Sequence, residues 1–232
     1  MKISIVMPVY NEEETIEAIL KRVLEVKLSW EKEIIVVNDG SKDKTEEKIK
    51  FFKDKIVYIK QENRGKGAAV RAGLNRSTGD YVIIQDADLE YDPVQIPKLL
   101  EVADRYPNVA VYGSRLTSPP VLFGKNRTIL LLHYFANRVF SLITSLIYGV
   151  WLTDMETGYK LFPRSAIAKM KLRANGFELE PEITAKLLKN GYKIREVAIT
   201  TKPRDFKEGK KFNTVKDGAM ALWGIFKYRF FD

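Results

Sequence analysis

Short apolar runs alternate with amphipathic segments along the first half of this 232-residue chain. The runs from Ile34 to Val37 and from Val82 to Ile84 are continuous and rich in β-branched residues, as in strands buried on both faces. Between such runs, apolar residues recur at helical spacing, as from Ile16 to Leu24. Strands that alternate with helices indicate right-handed βαβ crossovers. We therefore predict an α/β fold with a mostly parallel central sheet flanked by helices.

The same patterns place the individual elements. We predict strands near residues 3–7, 34–37, 56–59, 82–84, 109–112 and 193–200. We predict helices near residues 16–24, 46–52, 65–73, 93–105, 129–152, 179–188 and 219–231. Asn11 and Glu14 have the spacing of a capping box at the start of the first helix.

Polar residues follow four of the predicted strands. They are Pro8-Val9-Tyr10, Asn38-Asp39, Asp86-Ala87-Asp88 and Gly113-Ser114-Arg115. In open α/β sheets, the carboxyl ends of the strands line the crevice where ligands bind. Four polar groups at that edge favour a binding site over a set of solvated turns.

Asp86 and Asp88 are the strongest chemical signal in the chain. In extended backbone, side chains two residues apart point to the same side. Two carboxylates held together without a cation repel each other, so the pair predicts a hard divalent metal, Mg²⁺ or Mn²⁺, with oxygen ligands. Such a metal keeps open positions for the phosphates of a substrate. The alternative is a solvated turn after a strand.

The composition limits the classes of binding partner that the chain can have. A net charge of +9 indicates an anionic partner, namely nucleic acid, a membrane surface or a phosphorylated substrate. The basic residues form no nucleic-acid-binding motif, so we predict no nucleic acid partner. The lack of cysteine excludes disulfides and fits a reducing compartment. Because no export signal or spanning segment is evident, we predict a cytoplasmic protein.

Two apolar segments mark the second half of the chain. Residues 129–152 include an uninterrupted run of about 14 residues, shorter than the about 20 that span a bilayer. This segment is predicted to be either a core helix or an interfacial one. Residues 219–231 place aromatic rings beside Lys227 and Arg229, which suits the lipid–water boundary, although docking on the protein's own sheet is equally open.

Several motifs together resemble the family 2 glycosyltransferases of the GT-A fold. They are Pro8-Val9-Tyr10-Asn11-Glu12, the stretch from Val36 to Thr45, Gly65-Lys66-Gly67-Ala68-Ala69 and Asp86-Ala87-Asp88-Leu89. Further matches are similar to the dolichyl-phosphate and polyprenyl-phosphate sugar synthases: Gly113-Ser114-Arg115, the stretches 154–160 and 196–199, Pro203-Arg204 and Gly209-Lys210-Lys211. The resemblance implies one GT-A catalytic domain over residues 1–232. Residues 1–115 would form its nucleotide-sugar-binding half and residues 116–232 its acceptor-facing and membrane-facing half.

The resemblance also implies roles for individual residues. Nucleotide binding is implied for Pro8, Tyr10, Glu12, Asp39 and Lys66. Metal binding is implied for Asp86, Asp88 and, as a third carboxylate, Glu90. Contacts with the acceptor are implied for Arg127, Arg204, Lys210 and Lys211. Arg115 would neutralise the donor diphosphate, and the catalytic set would be Asp86, Asp88, Arg115 and Arg204. Asn38 replaces the first Asp of the family's usual Asp-Asp pair.

The implied activity is inverting, metal-dependent transfer of one sugar to dolichyl or polyprenyl phosphate at the inner face of the cell membrane. The donor would be UDP-glucose or GDP-mannose. A phosphate monoester, with a second pKa of about 6, is already largely dianionic at pH 7 and needs no general base. Two alternatives stay open. One is transfer to a soluble sugar hydroxyl, which needs a base such as Asp154, Glu178 or Glu180; the other is a non-catalytic module that binds nucleotide sugars or membranes.

Overall fold

The structure is a computed structural model that describes residues 1–117, 119, 131–176, 178–202 and 214–231, with the side chains of 132 and 214–217 excepted. Among these residues, seven strands form one sheet. They are β1 (Lys2–Val9), β2 (Glu31–Asp39), β3 (Val57–Gln61), β4 (Tyr81–Ile84), β5 (Ala110–Ser114), β6 (Lys160–Pro163) and β7 (Ile194–Ala198). Their order is β3-β2-β1-β4-β6-β5-β7. All neighbouring pairs are parallel except those of β6, which runs antiparallel to both β4 and β5. The mostly parallel sheet is therefore confirmed.

Helices cover both faces of this sheet. They are α1 (Ile16–Glu25), α2 (Thr45–Lys50), α3 (Lys66–Arg76), α4 (Ile96–Arg105), α5 (Leu131–Tyr148), α6 (Ser165–Met170), α7 (Leu179–Lys189) and α8 (Thr214–Phe230). Strand residues alternate between two cores, so Ile34 and Val36 pack with α1 and α4 while Ile35 and Val37 pack with α3, α6 and α7. Because both faces of the central strands are buried, their sequences are continuously apolar.

The predicted capping box at the first helix is wrong. Asn11 adopts a left-handed conformation with φ of 49°, and its side-chain oxygen accepts a hydrogen bond from the Lys42 backbone N–H. The helix begins later, at Ile16, where the Glu12 carbonyl accepts hydrogen bonds from the N–H groups of Thr15 and Ile16. Asn11 is thus used to join the loop after β1 to the loop after β2.

Helix α5 has the reverse of the usual arrangement of polar and apolar residues. Its exposed residues form one helical stripe: Leu131, Phe135, Val139, Leu142 and Leu146. Its buried residues include the hydroxyl side chains of Ser141, Thr144 and Ser145, which bond to backbone carbonyls. The apolar stripe therefore lies on the surface and does not belong to a core.

Helix α8 packs beside α5 and also exposes large apolar side chains. The Tyr148 hydroxyl of α5 donates to the Ile225 carbonyl of α8 at 3.2 Å. The exposed side chains around α8 are Trp223, Phe226, Phe230 and Phe231. No helix in the described part of the chain is both long and apolar enough to cross a bilayer.

Candidate active site

The polar residues predicted to meet at one edge of the sheet do so. β1, β2, β4 and β5 point in one direction, and the antiparallel β6 begins where they end. Buried Gln85 fixes the turn after β4, because its side-chain nitrogen donates to the carbonyls of Asp86 and Tyr91. The Tyr159 hydroxyl donates to the Gln85 side-chain oxygen, which connects this turn to the start of β6.

Asp86 is paired with Lys66 from the start of α3. The Lys66 Nζ lies 2.8 Å from Asp86 Oδ1 and 3.0 Å from Oδ2, and 3.5 Å from Glu180 Oε1 on α7. Burial alone would lower the pKa of Lys66, but the carboxylates of Asp86, Glu180 and Asp88 together raise it above its ordinary value. Lys66 therefore stays charged and balances part of the negative charge of the acidic pair.

Asp88 and Glu90 belong to the same turn. Asp88 Oδ1 accepts a hydrogen bond from the Glu90 backbone N–H at 3.1 Å. Asp86 and Asp88 offer only oxygen donors, and Mg²⁺ commonly takes one or two protein carboxylates and completes its shell with substrate phosphates and water. The two residues fit such a metal. No group of three acidic, His or Cys residues within the described ranges is arranged to hold a metal by itself, so Glu90 as a third ligand stays a prediction.

Two glycines let α3 and α7 approach closely enough to bring Lys66 to Glu180. Gly65 has φ of 92°, and a Cβ at Gly67 would lie only 2.2 Å from the Ala174 carbonyl oxygen. The Gly67 N–H instead donates to the Asn175 carbonyl at 2.8 Å. A side chain at either glycine would push the loop before α7 away from Lys66.

Lys160, at the start of β6, is a second buried cation. Its side chain is fully buried, and its Nζ lies 2.6 Å from Glu180 Oε2. The same Nζ donates to the carbonyls of Met155 and Thr157 at 2.8 and 2.5 Å. Glu180 thus joins Lys160 to Lys66, and the turn before β6 is tied to the acidic pair.

Arg115, which follows β5, is held rigidly by Asp154. Its Nε and Nη2 donate to the two Asp154 oxygens at 2.7 and 2.8 Å, and its backbone N–H donates at 2.9 Å. Asp154 is fully buried. Glu196 on β7 in turn accepts hydrogen bonds from the N–H groups of Thr153 and Asp154. Arg115 keeps its place through a chain of contacts that reaches the far strand.

Apart from Lys66, the residues predicted to bind the nucleotide lie at the ends of β1 and β2 or on the loop after β1. Pro8 and Tyr10 are half-buried at the end of β1. The Glu12 carboxylate accepts a hydrogen bond from the Thr15 hydroxyl at 2.9 Å, and the Glu12 N–H donates to Thr45 Oγ1 at 2.8 Å. Glu12 therefore supports the start of α1, a role that the sequence analysis did not foresee.

Asp39 anchors the loop that leads to α3. It is 2% exposed, and its carboxylate accepts hydrogen bonds from the Gln61 side chain and from the N–H groups of Arg64 and Gly65, at 2.6, 3.0 and 2.8 Å. An ionised carboxylate has about four acceptor positions, so about one is left for a ligand.

Asn38 is a structural residue. Its side-chain nitrogen donates to the Tyr58 hydroxyl at 3.1 Å, and its side-chain oxygen accepts from the Ser41 N–H at 2.9 Å. This bond shapes the turn after β2. A cleft of about 550 Å³, lined by residues 40–42 and 60–63, opens beside it.

Comparison with known proteins identifies the family. Residues 4–170, more than half of the chain, match the family model described as Glycosyl transferase family 2. The chain belongs to this family.

Curated relatives of this family 2 glycosyltransferase include enzymes named for polyprenyl-phosphate acceptors. It is 36% identical over 118 residues to a dolichol-phosphate mannosyltransferase from Pyrococcus furiosus, a match that covers 50% of this chain and 33% of the relative. It is 38% identical over 111 residues to an undecaprenyl-phosphate 4-deoxy-4-formamido-L-arabinose transferase from Photorhabdus laumondii, over 45% of this chain and 34% of the relative. The chain thus spans about a third of the length of these two relatives. An uncharacterised protein from Methanocaldococcus jannaschii, MJ0544, is 28% identical over 98% of this chain and 99% of its own.

Solved structures similar to this family 2 glycosyltransferase confirm the GT-A fold. Glucosyl-3-phosphoglycerate synthase from Mycobacterium tuberculosis, in complex with Mn²⁺, UDP and phosphoglyceric acid, matches with a TM-score of 0.73 and 18% identity, over 100% of this chain and 79% of that one. The same enzyme in complex with Mg²⁺ and UDP matches with a TM-score of 0.71 and 19% identity, over 98% and 79% of the two chains.

Four of the predicted site residues lie outside the described residues. They are Arg127, Arg204, Lys210 and Lys211. The last two residues described before Arg204 are Thr201 and Lys202, and they lie beside the acidic pair. Thr201 pairs with Tyr91, and the Lys202 N–H donates to the Glu90 carbonyl at 2.9 Å. Thr201 and Lys202 therefore lie next to the turn that carries Asp86 and Asp88.

Glu156 is a further candidate site residue, which its sequence pattern did not reveal. It lies in the turn before β6, and its Oε1 is buried without a hydrogen bond from any residue in the described ranges. Burial raises the pKa of Glu156 to about 7; Glu180 and Asp154 act in the same direction, against Lys160 and Arg115. The motif that contains Glu156 was recognised, but nothing in its pattern set this acid apart from its neighbours.

Proposed function

We propose that this family 2 glycosyltransferase moves one sugar from a nucleotide diphosphate sugar to a polyprenyl or dolichyl phosphate at a membrane surface. The donor site is the edge of the sheet that carries Asp86, Asp88, Lys66 and Arg115. The observation that carries the choice of a lipid acceptor is the exposed apolar stripe of α5. The names of the curated relatives support the same acceptor class.

Asp86 and Asp88 would hold Mg²⁺ or Mn²⁺ together with the donor diphosphate. When bound, the metal supplies a Lewis acid that stabilises the charge developing on the leaving nucleoside diphosphate. Lys66 binds Asp86. Arg115 lies over the ring of Tyr91, which follows Glu90 of the acidic turn. Carboxylates already fix both side chains. Fixed cations aimed at the leaving group lower the barrier because they need no reorganisation during the reaction.

The acceptor phosphate would act as the nucleophile without a general base. One of its oxygens would bond to the anomeric carbon as the bond to the nucleoside diphosphate breaks, which inverts that carbon. The acids expected to act as bases are engaged elsewhere: Asp154 binds Arg115, Glu180 binds Lys160, and Glu178 accepts from the N–H groups of Asn175 and Gly176. At least one oxygen of each carboxylate therefore already has a partner in the protein.

A transfer assay tests this function directly. Purified protein, Mn²⁺ or Mg²⁺, and a polyprenyl phosphate in detergent are incubated with UDP-glucose, GDP-mannose or related donors. We expect one donor to give a lipid-linked sugar and free nucleoside diphosphate. If no donor reacts with the lipid while a soluble sugar accepts the transfer, the lipid acceptor is wrong.

Membrane binding should depend on the exposed apolar residues. We expect Leu146→Ser and Trp151→Ser, each at a side chain 75% exposed, to weaken binding to anionic liposomes about tenfold each. Each change removes apolar surface that the lipid would bury, while leaving the core intact. Co-sedimentation with liposomes measures the partitioning. Phe51→Ser is the matched control, because Phe51 is 83% exposed but lies at the end of α2; equal losses in all three variants would contradict the assignment of this surface.

Transfer to a soluble hydroxyl is the second candidate function. It is favoured by one observation, the raised pKa of Glu156 beside Arg115, which would suit a general base at neutral pH. The same transfer assay, with the lipid replaced by a panel of soluble sugars, separates the two candidates.

A further inference from the structure

The turn that carries Glu156 is fixed on both sides of that residue. The Met155 N–H donates to Ser141 Oγ at 2.9 Å, and Thr157 Oγ1 donates to the Gly113 carbonyl at 2.6 Å. The carbonyls of Met155 and Thr157 both bind the buried Lys160 ammonium. The backbone thus holds Glu156 in one position beside Arg115 and Glu180.

Two carboxylate oxygens in this cluster lack hydrogen bonds. Glu156 Oε1 is buried and accepts none from the residues that the structure describes. Glu180 Oε1, on a residue 5% exposed, likewise accepts none from them, although Lys66 Nζ lies 3.5 Å away. Because buried polar atoms nearly always have a partner in the protein or in bound solvent, two such acceptors in one cluster provide a place for a group that donates hydrogen bonds.

The charges around Glu156 select the kind of ligand. The cations nearest Glu156, Lys160 and Arg115, are already paired with Glu180 and Asp154, so the position beside Glu156 Oε1 stays acidic and disfavours a phosphate. A sugar is neutral and carries hydroxyl groups that donate hydrogen bonds. A fixed, rigid acceptor also distinguishes sugars that differ by one hydroxyl, because a missing donor leaves the acceptor unpaired.

We propose that the Glu156 carboxyl binds a hydroxyl of the transferred sugar, with Glu180 Oε1 beside it, and so determines which donor sugar is accepted. This inference rests on the proposed function, since it assigns the sugar part of the donor. The raised pKa of Glu156 agrees with it, because a carboxyl that is partly protonated at pH 7 both accepts and donates hydrogen bonds.

Monodeoxy donors test the inference. For the preferred nucleotide sugar, we expect the wild-type protein to lose about 100-fold or more in kcat/KM when one particular hydroxyl is removed. Glu156→Ala should use the parent and that deoxy donor about equally. Glu156→Gln, which still accepts a hydrogen bond, should keep part of the preference. Glu101→Gln, at an exposed acid of α4, should behave as the wild type.

The same comparison is made for binding alone, by calorimetry with parent and deoxy donors and with the free nucleoside diphosphate. We expect Glu156→Ala to weaken binding of the parent donor and to leave binding of the nucleoside diphosphate unchanged. The melting temperature of Glu156→Gln should equal or exceed that of the wild type, which shows that folding is intact. Two results would overturn the inference. One is a Glu156→Ala variant that still discriminates against every deoxy donor as strongly as the wild type does. The other is a large loss of kcat in Glu156→Gln with unchanged discrimination, which is expected of a general base. If the wild type transfers no sugar to any acceptor, the proposed function fails, while the calorimetric comparison still decides the role of Glu156.

Discussion

Asp88→Asn is expected to lower kcat for sugar transfer about a thousandfold, which corresponds to about 4 kcal/mol of transition-state stabilisation. Asp88 contributes negative charge to the proposed metal site, and asparagine removes that charge at nearly constant shape. The asparagine oxygen can still accept the hydrogen bond from the Glu90 N–H, so the turn should persist. Initial rates at several Mn²⁺ concentrations, with calorimetric Mn²⁺ binding in the presence of nucleoside diphosphate, measure both effects.

The control for this change is Asp54→Asn. Asp54 is exposed in the short helical turn at Lys53–Lys55, remote in sequence from the acidic pair, and its replacement should leave the rate unchanged. Asp86→Asn is less informative, because it also breaks the ion pair with Lys66. An Asp88→Asn protein that keeps more than about a tenth of the wild-type rate, with the same Mn²⁺ dependence, would contradict the proposed metal site.

Lys160→Met is expected to lower the free energy of unfolding by about 3 kcal/mol, near the lower end of the range for a broken buried ion pair. Lys160 is fully buried, and the change removes the cation 2.6 Å from Glu180 Oε2 as well as the donor to two carbonyls. Glu180 keeps Lys66 as a more distant partner at 3.5 Å, which limits the loss. Urea denaturation followed by circular dichroism measures it.

The double variant Lys160→Met with Glu180→Gln separates charge from packing. Since the glutamine carries no charge, the double variant should recover about 1–2 kcal/mol of what the single change loses. Lys27→Met, at an exposed lysine after α1, provides the control and should change stability by less than about 0.5 kcal/mol. A single variant as stable as this control would show that the buried ion pair has no net effect on stability.

The sequence was informative wherever one residue pattern determines one structure. The runs at β1, β2 and β4 are apolar because both faces are buried, so their positions and the shared edge could be predicted. The short strand β6 could not, because Lys160 and Pro163 are unusual in a strand and only its pairing with β4 and β5 makes it one. Its reversed direction also explains why Glu156 was missed, since it is the beginning of β6, not its end, that lies at the site.

Contacts between residues far apart in the chain could not be predicted from the sequence either. Asp86 pairs with Lys66, and nothing in the residue pattern indicates that this lysine brings a cation to the acidic turn from within the protein. The sequence shows that α5 is apolar, but it does not show which side of the helix faces the solvent. Which side of a helix faces outward depends on what packs beneath it. Beneath α5 lies the segment 152–155, whose Leu152 and Met155 N–H groups donate to the Ser145 and Ser141 hydroxyls, so the larger apolar residues of α5 stay outside.

The support of Arg115 by a distant strand affects the order in which the site is assembled on the ribosome. The carboxylate turn and the strands that frame it, β1 to β4, are made first and pair among themselves. Glu196 on β7, which fixes the Thr153–Asp154 segment that grips Arg115, follows Arg115 by 81 residues (196 minus 115). At roughly 5–20 residues per second, that interval is several seconds of synthesis. The nascent chain therefore makes the strands that frame Asp86 and Asp88 well before it makes the β7 residue that supports Arg115.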